Sequence, residues 1–180
     1  MLLKESEINS IKENKVTFIK NFVSLQKNYD FNFLSQLMEE NVFQINVMSD
    51  YHNLKNIFQM PNVLNYLPEF KIFFDFLNKL FQYEKSEEDQ VDIFFSFVSQ
   101  VGNPHIDRED VFIIGLNGKT IYRFYDNVNE DYTIEKGDMI FIPKNIKHKS
   151  ISLTPRIIGS IGFFNERINN KNNDKKFYTR

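Results

Sequence analysis

Three side chains in this sequence have the types and the spacing to grip a divalent metal ion: His105, Asp107 and His148. Two imidazoles and one carboxylate bind one face of an ion and leave the opposite positions open. That is the donor set of non-haem Fe(II) centres, where a co-substrate and oxygen take the free positions. On an extended strand, residues i and i+2 point to the same side, so His105 and Asp107 can hold one ion together. His148 must then come from a second strand, brought alongside by a chain that wraps back on itself. A His-x-Asp pair alone is an ordinary strand feature, but the chain has only 3 histidines and two of them fall in this arrangement.

The elements around these residues support such a wrap. Short β-branched and aromatic runs read as strands over residues 91–98, 105–116, 120–125, 132–134, 139–142, 147–153 and 156–164. Asn117-Gly118 reads as a hairpin turn because both residues tolerate positive φ, and Gly137-Asp138 as a second tight turn. Before residue 90 the pattern is mixed. Residues 1–14 read as a short helix, 15–23 as a strand, 30–40 as a helix capped by Asp30, and 43–48 as another strand. From Pro68 onward, Phe70, Phe73, Phe74, Leu77, Leu80 and Phe81 recur at helical spacing, which predicts an amphipathic helix. Its aromatic stripe is read as core packing, and any exposed part of it as a homodimer face. The chain thus divides into residues 1–90, an extension packed on a barrel; 91–164, the barrel; and 165–180, a polar tail, all in one structural domain. The fold class is α+β.

Composition narrows the function classes. A chain of 180 residues is long enough for one substantial core. With no cysteine, disulfides and thiolate metal sites are excluded. A net charge of −2 gives no global basic field, so nucleic acid is not an expected partner, although Lys144, Lys147 and Lys149 cluster near His148. No apolar run approaches the roughly 18 residues of a spanning helix, and the N-terminus turns polar at once, so the expected compartment is the cytoplasm. The 20 phenylalanines accompany abundant Asn, Lys and Ile and are read as compositional bias.

Pro104-His105-Ile106-Asp107, then Asp110-Val-Phe-Ile-Ile, Gly118, and Gly137-Asp-Met-Ile-Phe-Ile-Pro143 leading to His148 resemble a cupin-type double-stranded β-helix. More narrowly, they are similar to the JmjC-like Fe(II)/2-oxoglutarate-dependent oxygenases, which include bacterial ribosomal-protein hydroxylases. The resemblance covers residues 91–164. It implies Fe(II) on His105, Asp107 and His148, 2-oxoglutarate as co-substrate, molecular oxygen, and hydroxylation of a small molecule or a short peptide. It departs from the family at Thr120, where a Lys or Arg usually pairs with the far carboxylate of 2-oxoglutarate. Arg156, which opens the last strand, is the expected substitute, with Tyr122 and Thr120 assisting. Lys119 should face the other way by strand alternation. Ser96 and Ser99 are candidates for the pocket lining, whereas Asp110 and Asn145 read as strand-end or turn residues and His52 as a surface or packing histidine. Two other classes stay open: a metal-binding cupin that does without 2-oxoglutarate, such as an isomerase or another dioxygenase, and a non-catalytic interaction module.

Overall fold

The computed structural model describes residues 3–40, 45–47, 56–125, 130–165 and 167. Their elements are, in order, α1 (Glu5–Lys12), β1 (Thr17–Ile19), α2 (Phe31–Glu40), β2 (Asn46–Val47), β3 (Phe58–Met60), a 3-10 turn (Val63–Asn65) and α3 (Pro68–Phe81). Then come β4 (Gln90–Ser96), β5 (Gln100–Val101), β6 (His105–Ile106), β7 (Asp110–Asn117), β8 (Thr120–Phe124), β9 (Asp131–Ile134), β10 (Met139–Ile142), β11 (Lys147–Ser152) and β12 (Arg156–Phe163). The three helices precede residue 90 and the barrel strands follow it, an α+β arrangement.

The strands form two antiparallel sheets. The large sheet runs β1-β10-β7-β12-β4-β3-β2, and the small one runs β5-β11-β8-β9 with β6 also paired to β11. From β7 onward the chain passes from sheet to sheet: β7 large, β8 and β9 small, β10 large, β11 small, β12 large. This winding is a double-stranded β-helix.

Period-2 alternation divides each large-sheet strand between two cores. Val111 and Ile113 of β7, Ile140 and Ile142 of β10, and Ile158 of β12 point into the barrel, against Tyr122 and Phe124 of β8. Phe112, Ile114, Met139, Phe141, Ile157 and Ile161 point outward, against the helices. Those strands are therefore buried on both faces and read as continuous apolar runs. The α3 stripe covers the outer face: Phe70, Phe73, Leu77 and Phe81 are buried, and Phe81 stacks on Phe112 with ring centroids 5.7 Å apart. Each such ring, fully buried, stabilises the fold by about 1.5–3 kcal/mol. Gly159 of β12 makes the close approach possible, since a Cβ there would lie 2.2 Å from the Phe70 ring.

The structure corrects the sequence expectation in two places that matter for the site. The predicted strand over 105–116 is two strands in different sheets, separated by a crossing at residues 107–109. Asp107 therefore follows β6 rather than lying on it. Asn117-Gly118 is a corner between sheets and not a hairpin, because β7 pairs with β10 and β12 while β8 pairs with β11 and β9. Gly118 has φ +75°, and a Cβ there would meet Pro155 O at 2.1 Å. Hairpin and corner both demand positive φ, so the residue types do not separate them.

Candidate metal centre and its cavity

The pairing of β6 with β11 sets His105 opposite His148, their ring centroids 4.4 Å apart. Asp107 sits between them: Oδ1 is 3.5 Å from His105 Nε2, and Oδ2 is 3.4 Å from His148 Nε2. One ligand atom from each of the three lies within 4.8 Å of the others. Each imidazole is oriented by its other nitrogen. His105 Nδ1 is 2.9 Å from Asn103 O, and His148 Nδ1 is 3.0 Å from Ile146 O. A carbonyl only accepts, so in the neutral rings the proton resides on Nδ1 and the Nε2 lone pairs face Asp107. Lone pairs then converge from three sides with no proton between them, which a cation would resolve. This orientation of ligating histidines by backbone carbonyls is the usual outer support of a metal site. Two imidazole nitrogens and a carboxylate oxygen, with no sulfur, suit Fe(II).

Burial separates the two histidines. His105 is exposed, whereas His148 is buried and its pKa is lowered from the ordinary 6.5, chiefly by burial. The carbonyl of Ile146 and the charge of Asp107 oppose that shift, and His105 adds to it. The deeper ligand is thus held in its neutral, metal-binding form.

The triad lies on a cavity of about 750 Å³. On the same cavity Arg156, 1% exposed, points its guanidinium among hydroxyls: Nη1 donates to Thr120 Oγ1 at 3.2 Å and Nη2 to Ser150 Oγ at 3.1 Å. The Tyr122 phenol lines the same cavity beside it. Burial pushes the Tyr122 phenol up to about 12, so it stays protonated despite the adjacent guanidinium. Arg156 Nε has no hydrogen-bond partner, and no carboxylate forms an ion pair with this arginine among the described residues. A buried cation without an anion is costly, and burial lowers its pKa.

Further along the cavity stand two carboxylates. Asp92 is buried and accepts from Gln59 Nε2 at 2.7 Å and from Asn62 N at 3.0 Å. Burial raises its pKa despite both bonds. Glu109 is raised too, first by burial and then by the charges of Asp107 and Asp92. The sequence reading missed Asp92 and Ser150. Both had a signal: a lone carboxylate inside Val-Asp-Ile-Phe-Phe, and the strand parity Ser150 shares with His148.

The remaining candidates separate clearly. Ser99 does not line the cavity. It is exposed and donates to Leu153 O at 2.7 Å; it lies past the end of β4 at Ser96, and its strand parity is opposite to that of Asp92 and Phe94, which face the cavity. Ser96 is buried with its hydroxyl 3.4 Å from that of Ser152. Lys119 faces outward and pairs with Glu135 at 2.7 Å. Asp110 and Asn145 are a strand-end and a turn residue. His52 lies outside the described residues. No helix among the described residues is long and apolar enough to cross a membrane.

No family model matches the chain, and no curated protein matches its sequence. Solved structures do match. The Escherichia coli ribosomal oxygenase YcfD superposes with a TM-score of 0.69 at 19% identity, over 97% of this chain and 55% of that one. YcfD with cobalt and succinic acid gives 0.67 at 20% identity, over 86% and 49%. YcfD with cobalt and 2-oxoglutarate gives 0.65 at 19% identity, over 89% and 50%. The chain spans about half the length of these structures. Its fold is the double-stranded β-helix, similar to the one in the YcfD ribosomal oxygenases.

Proposed function

We propose that the chain is an Fe(II)- and 2-oxoglutarate-dependent oxygenase that hydroxylates a peptide segment or a small molecule in the cytoplasm, with residues 91–164 as the catalytic barrel and residues 1–90 as its buttress. The observation that carries this reading is the pairing of two unmet needs in one cavity. Three lone-pair donors await a cation, and a buried guanidinium with a free Nε awaits an anion. A keto diacid chelated to a metal supplies both.

In this reading His105, Asp107 and His148 hold the iron. Arg156 takes the far carboxylate of 2-oxoglutarate through its planar fork, assisted by Tyr122, Thr120 and Ser150. The charge missing at Thr120 is thereby restored from the adjoining β12, since Thr120 accepts from Arg156 itself. Bound iron and 2-oxoglutarate together supply oxygen activation, driven by oxidative decarboxylation of the keto acid. The protein's own work is placement and exclusion. Phe94, Val111, Ile113 and Ile158 form an apolar wall on the cavity, which limits water and strengthens the charge interactions within it. The likeness to ribosomal oxygenases supports a peptide segment as the substrate class.

The test is anaerobic titration of Fe(II)-loaded protein with 2-oxoglutarate, followed by the visible metal-to-ligand charge-transfer band. The expected band appears and saturates in the wild type. Tight iron binding without a band would sink the 2-oxoglutarate reading and leave a metal-binding cupin of other chemistry. Absence of iron binding would leave only the interaction module.

A further inference from the structure

Asp110 stands three positions after Asp107, at the first residue of β7, on the helix side of the large sheet and away from the cavity. It is 6% exposed. Its Oδ1 accepts from Lys144 N at 3.0 Å. The next amide, Asn145 N, donates to Asp107 O at 3.0 Å, and the next carbonyl, Ile146 O, receives His148 Nδ1. Two consecutive amides therefore tie the segment that carries Asp107 to the loop that precedes His148, the next residue orients the His148 ring, and Asp110 holds the first of the two ties. Asn145 turns the chain between them with φ +67°.

The other oxygen of Asp110 anchors this clip to the rest of the molecule. Oδ2 accepts from Tyr83 Oη at 2.8 Å and from Arg167 Nη2 at 2.9 Å, with Arg167 Nε at 3.3 Å. Arg167 in turn lies over the rings of Tyr83 and Phe141 and donates to Ile11 O. A carboxylate ion-paired and hydrogen-bonded on both oxygens has little freedom to move, so the ligand loops inherit their spacing from it.

We propose that Asp110 is a positioning residue for the metal centre: it fixes the distance between the Asp107 and His148 loops and thereby sets metal affinity. The proposal rests on the metal-site reading above. Its role matches that of outer partners in other metal sites, where loss costs about 10–100-fold in affinity.

The experiment measures Co(II) affinity by calorimetry, the Co(II) absorption spectrum, and amide exchange at Lys144 and Asn145 in metal-free protein. Asp110→Ala is expected to bind Co(II) about 10–100-fold more weakly, with an altered spectrum and faster exchange at both amides. Asp110→Asn keeps an acceptor for Lys144 N and should recover most of the affinity. Leu77→Ala, a buried α3 change far from the loops, should lower stability and leave Co(II) affinity as it was. Wild-type affinity in a folded Asp110→Ala, or an equal loss in Leu77→Ala, overturns the proposal. If Asp110→Ala does not fold, Arg167→Met takes its place; a several-fold loss of Co(II) affinity supports the clip and an unchanged affinity refutes it. A wild type that binds no Co(II) brings down the metal reading itself, with this proposal, and is recognised because no variant comparison is then needed.

Discussion

The two sheets of the barrel solve opposite problems. Strands β7, β10 and β12 of the large sheet are buried almost throughout, with helices on one face and the barrel interior on the other. Strands β8, β9 and β11 of the small sheet alternate buried with partly or fully exposed residues, because their outer face meets water. The large sheet supplies rigidity through outward contacts that are mostly apolar, with Asp110 at the start of β7 paired to Tyr83 and Arg167. The small sheet can afford His148, Ser150, Tyr122 and Thr120 inward, each met by a partner in the cavity, since its stability is borrowed from across the barrel. Chemistry is placed on the lightly built wall, and the heavily packed wall keeps that chemistry in register.

The contrast predicts where a substitution destroys function and where it destroys the fold. Asp107→Ala should lower metal affinity by more than the roughly 100-fold that bounds the loss of an outer partner, while thermal stability of the metal-free protein changes little. Calorimetric titration with Co(II) and a melting curve check both halves. Phe112→Ala, on the large sheet, should do the reverse. Phe112 is fully buried between Phe81, Phe141 and Phe163, so its removal should cost about 3–5 kcal/mol in urea unfolding, with metal affinity retained by the folded fraction. Equal loss of metal in the two variants would break the comparison.

Arg156→Met tests the seam between the sheets, since Arg156 opens β12 of the large sheet and reaches into the small one. Iron should still bind. Affinity for 2-oxoglutarate should fall roughly 10–100-fold, in line with about 1.5–3 kcal/mol for hydrogen bonds to a charged group. The metal-free protein should not be less stable, because a buried guanidinium without an anion is replaced by an apolar chain of similar length. A variant that loses stability while keeping 2-oxoglutarate affinity would assign Arg156 to the core.

A smaller effect concerns pH. Burial holds His148 below its ordinary 6.5, so on acidification the unfolded chain takes up a proton there before the folded one does. Its contribution to stability is therefore complete above about pH 6.5 and is lost as pH falls toward the lowered folded value. Urea midpoints of metal-free protein should drop over that window, and His148→Gln should flatten the drop. A large-sheet variant such as Phe112→Leu should shift every midpoint by the same amount. Parallel curves for wild type and His148→Gln would show that the buried ligand is not held neutral at a cost.

The same contrast explains what the sequence allowed to be read. The α3 stripe was legible because a helix on one face of a sheet must repeat its apolar residues every three or four positions. The grouping of His105, Asp107 and His148 was legible from residue types, two of three histidines and a neighbouring carboxylate, although Asp107 lies just past β6 and not on it. The crossing at 107–109 was not: β6 and β7 both read as strand, and nothing local marks which sheet each joins. Asn117-Gly118 failed as a hairpin for the same reason. Ser99 lies past the end of β4 with strand parity opposite to that of the cavity-facing Asp92 and Phe94, so closeness in sequence to the site did not bring it to the cavity. Ser150 was recoverable from parity with His148, and Asp92 from its isolation among apolar neighbours.

The smallest expected effect lies on the water-facing side of the small sheet. Arg123 of β8 and Asp131 of β9 are direct cross-strand partners, joined by two hydrogen bonds of 2.8 and 2.6 Å. The geometry is bidentate, which favours an ion pair, and the arginine holds the Asp131 pKa below its ordinary value. Both groups are about 40% exposed, however, and water screens them. Arg123→Ala should therefore barely move the urea midpoint and leave Co(II) affinity unchanged, since Arg123 faces away from Tyr122 and Phe124 on the same strand. A large drop in the urea midpoint, or a loss of metal, would mean that the outer face of the small sheet shares in holding the site, and that the division of labour between the two walls is less sharp than their burial patterns indicate.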